Sequence, residues 1–125
     1  MRTLLGTTLA AALLAAILVP AAAPAAQRGA TKCALSTHDQ RHLGASYVTS
    51  LSVSGTSCAK GKEVTLAFNQ CRTAAGKPQG KCKHKVMKFS CTEKRYDAVP
   101  GVQYSSKVTC TRGSKRVYST YTQNT

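Results

Sequence analysis

Acidic residues are almost missing from this chain. Four Asp+Glu stand against 18 Lys+Arg in 125 residues, for a formal net charge of +14. Chemistry built on paired carboxylates therefore has only Asp39, Glu63, Glu93 and Asp97 to draw on. Tryptophan is absent, and beyond residue 26 the only leucines are Leu35, Leu43, Leu51 and Leu66, so the hydrophobic core is lean. No CxxC pair occurs, which argues against structural zinc, whose ligands come in close pairs. No cysteine directly follows the first apolar stretch, which disfavours a lipid-anchored form.

That first stretch differs from everything after it. Met1 and Arg2 are followed by an apolar run from Leu4 to Val19, then by Pro20, Pro24 and small alanines. A charged start, an apolar middle and a small-residue end are the layout of a secretory signal peptide. The run is about 16 residues, short of the roughly 20 that span a bilayer. Residues 1–26 are expected to be a signal peptide cleaved after Ala25 or Ala26, leaving no transmembrane anchor. Taking 26 residues and one arginine from 125 and +14 leaves 99 residues and +13. The expected organisation is a signal peptide (1–26), a polar N-terminal tail (27–45) and a small domain (46–125).

Cys33, Cys58, Cys71, Cys82, Cys91 and Cys110 all lie beyond the signal. An exported domain with a lean core is commonly stapled by disulfides, so three bridges are expected and no bound metal or cofactor. Geometry points to Cys71–Cys82 closing the loop after a helix. Cys58 is expected to reach the sheet at Cys91 or Cys110, with Cys33 taking the remaining sheet cysteine.

Periodicity orders the elements. Ser36 or Thr37 caps a short turn reaching Leu43. Residues 46–54 alternate, with Tyr47, Thr49, Leu51 and Val53 on one face, and read as a half-buried strand. Ser57 caps a helix over 57–71 whose apolar stripe is Cys58, Gly61, Val64, Phe68 and Cys71. Gly61 weakens it by about 1 kcal/mol relative to Ala and signals a close approach of sheet backbone. Residues 72–85 read as a Gly, Pro and Lys loop, 86–92 as a strand with Met87, Phe89 and Cys91 on one side, and 93–101 as a second loop. Residues 102–111 and 115–122 form a hairpin. A two-residue Gly113-Ser114 turn pairs Arg112 with Lys115, Cys110 with Val117, Val108 with Ser119 and Ser106 with Tyr121. The expected fold is α+β: a small antiparallel sheet of about four strands with one helix packed on one face, disulfide-stabilised.

Cys58-x2-Gly61-x2-Val64, Cys71, Cys82, Phe89-x-Cys91, Val108-x-Cys110, Gly113, Val117 and the ending Tyr121-Thr122-Gln123 resemble a family of small secreted cysteine-containing domains common in actinobacteria. The resemblance spans about residues 50–123. It implies an exported domain with this helix and a C-terminal hairpin, and it carries no activity and no functional residue.

Charge is the feature that points beyond the fold. Lys77, Lys81, Lys83, Lys85 and Lys88 crowd one segment, and Lys107, Arg112, Lys115 and Arg116 lie on the outer face and tip of the hairpin, with Tyr118 among them. Such a surface attracts polyanions by counterion release. Teichoic acid, anionic lipid, acidic polysaccharide and extracellular nucleic acid all qualify, whereas no motif for sequence-specific nucleic-acid reading appears. A solubilising coat of charge accounts for the same residues without a partner.

Three other constellations compete. His38, Asp39 and His42 bring two imidazoles to one helix face, but a third ligand is missing. His84 and Glu93 would be the acid–base candidates of a small nuclease, with lysines around the transition state; a solvated loop histidine and a turn carboxylate are the simpler reading. The 72–85 loop between Cys71 and Cys82 would suit a protease inhibitor, because a rigid loop loses little entropy on binding. The expected function is a secreted, non-catalytic domain that binds an anionic extracellular or cell-envelope partner.

Overall fold

A computed structural model describes residues 29–125; the expected signal segment, 1–26, lies outside the described residues. Local chemistry sets the first helix, α1 (Thr37–His42). The Ser36 hydroxyl accepts from the Asp39 N–H at 3.0 Å, and the Asp39 carboxylate accepts from the Ser36 N–H at 3.1 Å. This reciprocal capping box satisfies two otherwise orphaned donors. Before α1, a two-residue strand β1 (Thr31–Lys32) pairs with β2 (Tyr47–Ser54). Cys33, Leu43 and Ala45 are buried, so from Thr31 onward the polar stretch is stitched to the sheet.

β2 departs from simple alternation. Its register against β5 (Lys115–Asn124) shifts between Val48 and Ser50. One extra residue in a bulge reverses which face the chain presents. Val48 therefore turns inward with Leu51 and Val53, while Tyr47 is 38% exposed and Thr49 faces out. The expectation of Tyr47 and Thr49 on the buried face is corrected.

The second helix, α2 (Cys58–Gly76), starts at Ser57, whose hydroxyl accepts from the Lys60 N–H. It runs five residues past Cys71 and converts the start of the expected 72–85 loop into helix. Gly61, Val64, Thr65, Phe68, Asn69 and Arg72 form its buried side. Gly61 is needed because of a side chain rather than backbone: a Cβ there would lie 2.5 Å from Val53 Cγ1. A 3-10 turn (Lys77–Gln79) follows.

Residues 86–92 do not form one strand. Val86 and Phe89 exchange backbone hydrogen bonds of 3.0 and 2.7 Å across Met87 and Lys88, both at positive φ. That two-residue turn buries Val86 and Phe89 and leaves Met87 40% exposed, against the expected inward Met87. β3 (Ser90–Val99) then runs through most of the expected second loop to meet β4 (Gln103–Arg112). β4 and β5 pair in the register read from the sequence, including Arg112 with Lys115 and Ser106 with Tyr121.

The result is one antiparallel five-stranded sheet in the order β1-β2-β5-β4-β3, with α2 across one face. The core between them includes Val48, Leu51, Val53, Val64, Phe68, Val108, Val117 and Tyr121. Three disulfides close it: Cys33–Cys58, Cys71–Cys82 and Cys91–Cys110. The Cys71–Cys82 expectation holds. The helix-to-sheet bridge from Cys58 is corrected, and with it the placement of Cys33. Cys58 opens α2 directly after β2, beside β1, whereas Cys91 and Cys110 lie across the sheet and face each other on β3 and β4. Among the described residues, no helix is long and apolar enough to cross a membrane.

Candidate anion-binding surface

The strand directions gather the basic residues. β2 ends, β3 begins, β4 ends and β5 begins at the same end of the sheet. Arg112 and Lys115 flank the Gly113-Ser114 turn there, and Gly113 supplies its positive φ. Lys88 sits two residues before Ser90, which pairs with Thr111 next to Arg112. Lys83 and Lys85 lead into that corner and border a groove of about 360 Å³ floored by Ser90 and Cys91. Two clusters separated by more than twenty residues thus meet at one cationic end. Arg116 belongs to it, but its guanidinium folds back to donate to the Gly113 and Lys115 carbonyls.

Lys77 and Lys81 are placed elsewhere. Lys77 follows the last residue of α2, and Lys81 lies beside Arg95 and Glu93 along the β3 edge, in a groove that Lys83 also borders. Lys107 and Tyr118 occupy the middle of the sheet face that α2 leaves open. There they border a shallow depression of about 270 Å³ with Ser50, Ser52, Thr109 and Thr120. Thr120 Oγ1 lies 2.6 Å from both Thr49 Oγ1 and Ser50 Oγ.

The sequence reading missed Lys94 and Tyr96. They fall in the stretch read as a loop, where Pro100-Gly101 masked the alternation of Thr92, Lys94 and Tyr96. Lys94 stands directly opposite Lys107 across β3 and β4. The Lys107 ammonium lies 5.7 Å from the Tyr96 ring centroid, a cation–π approach. Like charges facing each other across strands are destabilising, and Asp39, Glu63 and Glu93 are engaged away from this face.

Three of the four acids are committed elsewhere. Lys62 binds Asp39 at 2.8 Å, and Lys60 binds Glu63 at 2.5 Å. The Lys62 hydrogen bond, followed by the Ser36 N–H and hydroxyl, lowers the Asp39 pKa to about 2. Glu93 is on the helix side of β3. Its carboxylate accepts from Arg95 at 3.0 Å, from Ser106 at 3.1 Å and from the Tyr121 hydroxyl. Burial works against its charge, but these donors outweigh burial and hold its pKa below the usual value. Burial and the same carboxylate push the Tyr121 phenol far up.

Arg72 completes this inner network and was also missed. It is fully buried, donating to Asn69 Oδ1 at 2.7 Å and Gln123 Oε1 at 2.6 Å, with its guanidinium 4.4 Å from the Tyr121 ring centroid. An arginine in a polar loop sequence gives no sign of burial; only continuation of the helical period to residue 72 would have.

The nuclease candidates face different neighbours. His84 packs on Cys71 and Lys85, whereas Glu93 is saturated by Tyr121, Ser106 and Arg95. His38 and His42 stack at 3.9 Å between ring centroids, as their i, i+4 spacing requires, while Asp39 serves the cap and Lys62. In the loop considered for protease inhibition, Arg95 holds the Gln79 and Gly80 carbonyls and Arg72 holds that of Pro78. No family model, no curated protein and no solved structure matches this chain.

Proposed function

We propose that this protein is an exported, non-catalytic domain that binds an anionic polymer or surface outside the cell or in its envelope. The observation that carries the reading is Lys94 opposite Lys107 on a hydroxyl-rich sheet face. A cross-strand repulsion of this kind costs stability, and an anion lying between the two ammoniums would remove it. The cationic end at Lys83, Lys85, Lys88, Arg112 and Lys115 extends the same field around the β3 edge. The signal-like residues 1–26, the three disulfides and the resemblance to small exported domains support export.

Salt-dependent retention tests this reading. The mature chain is expected to elute from phosphocellulose and heparin only at raised salt, and Lys94→Gln/Lys107→Gln to elute earlier. Each lysine removed should lower the slope of log K against log[salt] by about one. Retention no stronger at low salt than that of a neutral protein overturns the proposal.

A further inference from the structure

Cys71, Cys82 and His84 are, among the described residues, the one group of three metal-ligating side chains whose ligand atoms lie within 4.8 Å of one another. Two are now joined as a disulfide. We propose that this bridge is a thiol-gated metal site: closed as a disulfide, and after reduction a two-sulfur, one-nitrogen site for a thiophilic divalent ion such as Zn2+.

His84 is already set for the task. Its Nδ1 lies 3.0 Å from the Lys85 carbonyl, which can only accept a hydrogen bond. Nδ1 therefore carries a hydrogen, so in the neutral ring Nε2 is the nitrogen with the lone pair. Nε2 faces Cys71 Sγ at 3.3 Å, and a disulfide sulfur has no hydrogen to give it. A histidine whose second nitrogen donates to a backbone carbonyl is the usual arrangement for a metal ligand. Tetrahedral zinc with bonds of about 2.3 Å to sulfur and about 2.0 Å to nitrogen places sulfur and nitrogen roughly 3.5 Å apart. The Cys71–His84 separation is close to that spacing before any movement.

The surroundings keep the site in place once the bridge opens. Arg95 donates to the Gln79 carbonyl at 3.0 Å and to that of Gly80, and Arg72 and Tyr104 donate to that of Pro78. The returning segment is thus held from both sides independently of the disulfide. Cys71 and His84 line an open groove of about 670 Å³ with Gly80, Lys81 and Lys83. By contrast, Cys33 and Cys110, one in each of the other bridges, are 5% and 2% exposed. Two thiolates and one divalent ion make a neutral centre, so the nearby lysines do not oppose it.

The exchange balances with a dithiol as reductant. One thiolate bonds to Cys82 Sγ, and the Cys71–Cys82 bond breaks with its electron pair going to Cys71 Sγ. The second thiolate of the reductant then displaces Cys82 Sγ, so two electrons reach the protein and the reductant ends as its own disulfide. Metal binding releases one proton from each cysteine thiol.

The test uses the folded mature chain and a water-soluble phosphine, which is oxidised to its oxide with oxygen taken from water. Alkylation and peptide mapping are expected to find Cys71 and Cys82 modified before any other cysteine. The partly reduced chain should bind one equivalent of Co2+ with a thiolate charge-transfer band, release protons and surrender the Co2+ to Zn2+. His84→Ala should open the same bridge but bind Co2+ at least tenfold more weakly. Prior or simultaneous opening of another bridge overturns the proposal. So does absence of the charge-transfer band, equal affinity in His84→Ala, or loss of far-ultraviolet dichroism that metal fails to restore.

Discussion

Arg72 shows how a single charged residue can serve the structure without an ion pair. It is fully buried without a carboxylate in contact, and neutral oxygens and the Tyr121 ring solvate it instead. Replacing it by Leu would strand the acceptors on Asn69 and Gln123 and leave a void. Each buried polar group left unpaired costs about 1–3 kcal/mol, so Arg72→Leu should lower stability by about 3 kcal/mol or more, read from the urea midpoint. A midpoint unchanged from wild type would contradict the buried network. The neighbouring Glu93 makes stability depend on pH. Its folded pKa is depressed, as is that of Asp39, so their stabilisation is complete above the unfolded value near 4 and is lost as pH falls through the folded values. Urea midpoints should therefore fall below about pH 4, and Glu93→Gln should reduce that acid dependence. An equally steep loss in Glu93→Gln would rule out Glu93 as a source.

At the scale of elements, the contact between α2 and β2 turns on one missing methyl. Gly61 is costly inside a helix by about 1 kcal/mol, yet its absent Cβ leaves room for the buried Val53. Gly61→Ala should gain that propensity and lose more through overpacking, about 1–3 kcal/mol. Adding Val53→Ala should recover part of the loss, and the double-mutant cycle reads the coupling directly. Additive effects would mean the two residues do not meet. Much of this level was legible. The α2 start follows from Ser57, and the β4–β5 register follows from a tight turn and a period of two. The β2 face was misread because one bulge residue shifts the alternation without any signature in composition. The β3 start was misread because Met87 and Lys88 turn at positive φ, where neither residue type advertises a turn.

Across the whole molecule, charge is polarised. The end bearing Lys83, Lys85, Lys88, Arg112 and Lys115 concentrates cations, with Glu93 bordering Lys83 but bonded inward to Arg95, Ser106 and Tyr121, while Asp97 and the exposed Val99 and Val102 lie toward the opposite end, at the β3–β4 turn. The open face adds Lys94 against Lys107 between them. Lys94→Glu should turn that repulsion into a cross-strand attraction and raise stability by about 0.5 kcal/mol, while advancing elution from phosphocellulose. A variant that gains stability yet keeps full retention would separate this face from polyanion binding. Stability without a ligand should also rise modestly between low salt and physiological salt, where screening shortens to about 8 Å. A flat salt response would show that the like-charge contacts cost little.

Sequence alone determined what depends on near neighbours. The capping box at Ser36, the α2 cap, the β4–β5 hairpin and the Cys71–Cys82 closure each follow from residues only a few positions or one short loop apart. Tertiary structure decided what depends on distant segments meeting. The order β1-β2-β5-β4-β3 sent Cys58 to Cys33 and Cys91 to Cys110. Extension of α2 buried Arg72, and the β3–β4 register brought Lys94 opposite Lys107. Sheet pairing and burial arise from competition among all segments for one core, and a linear pattern does not record its outcome.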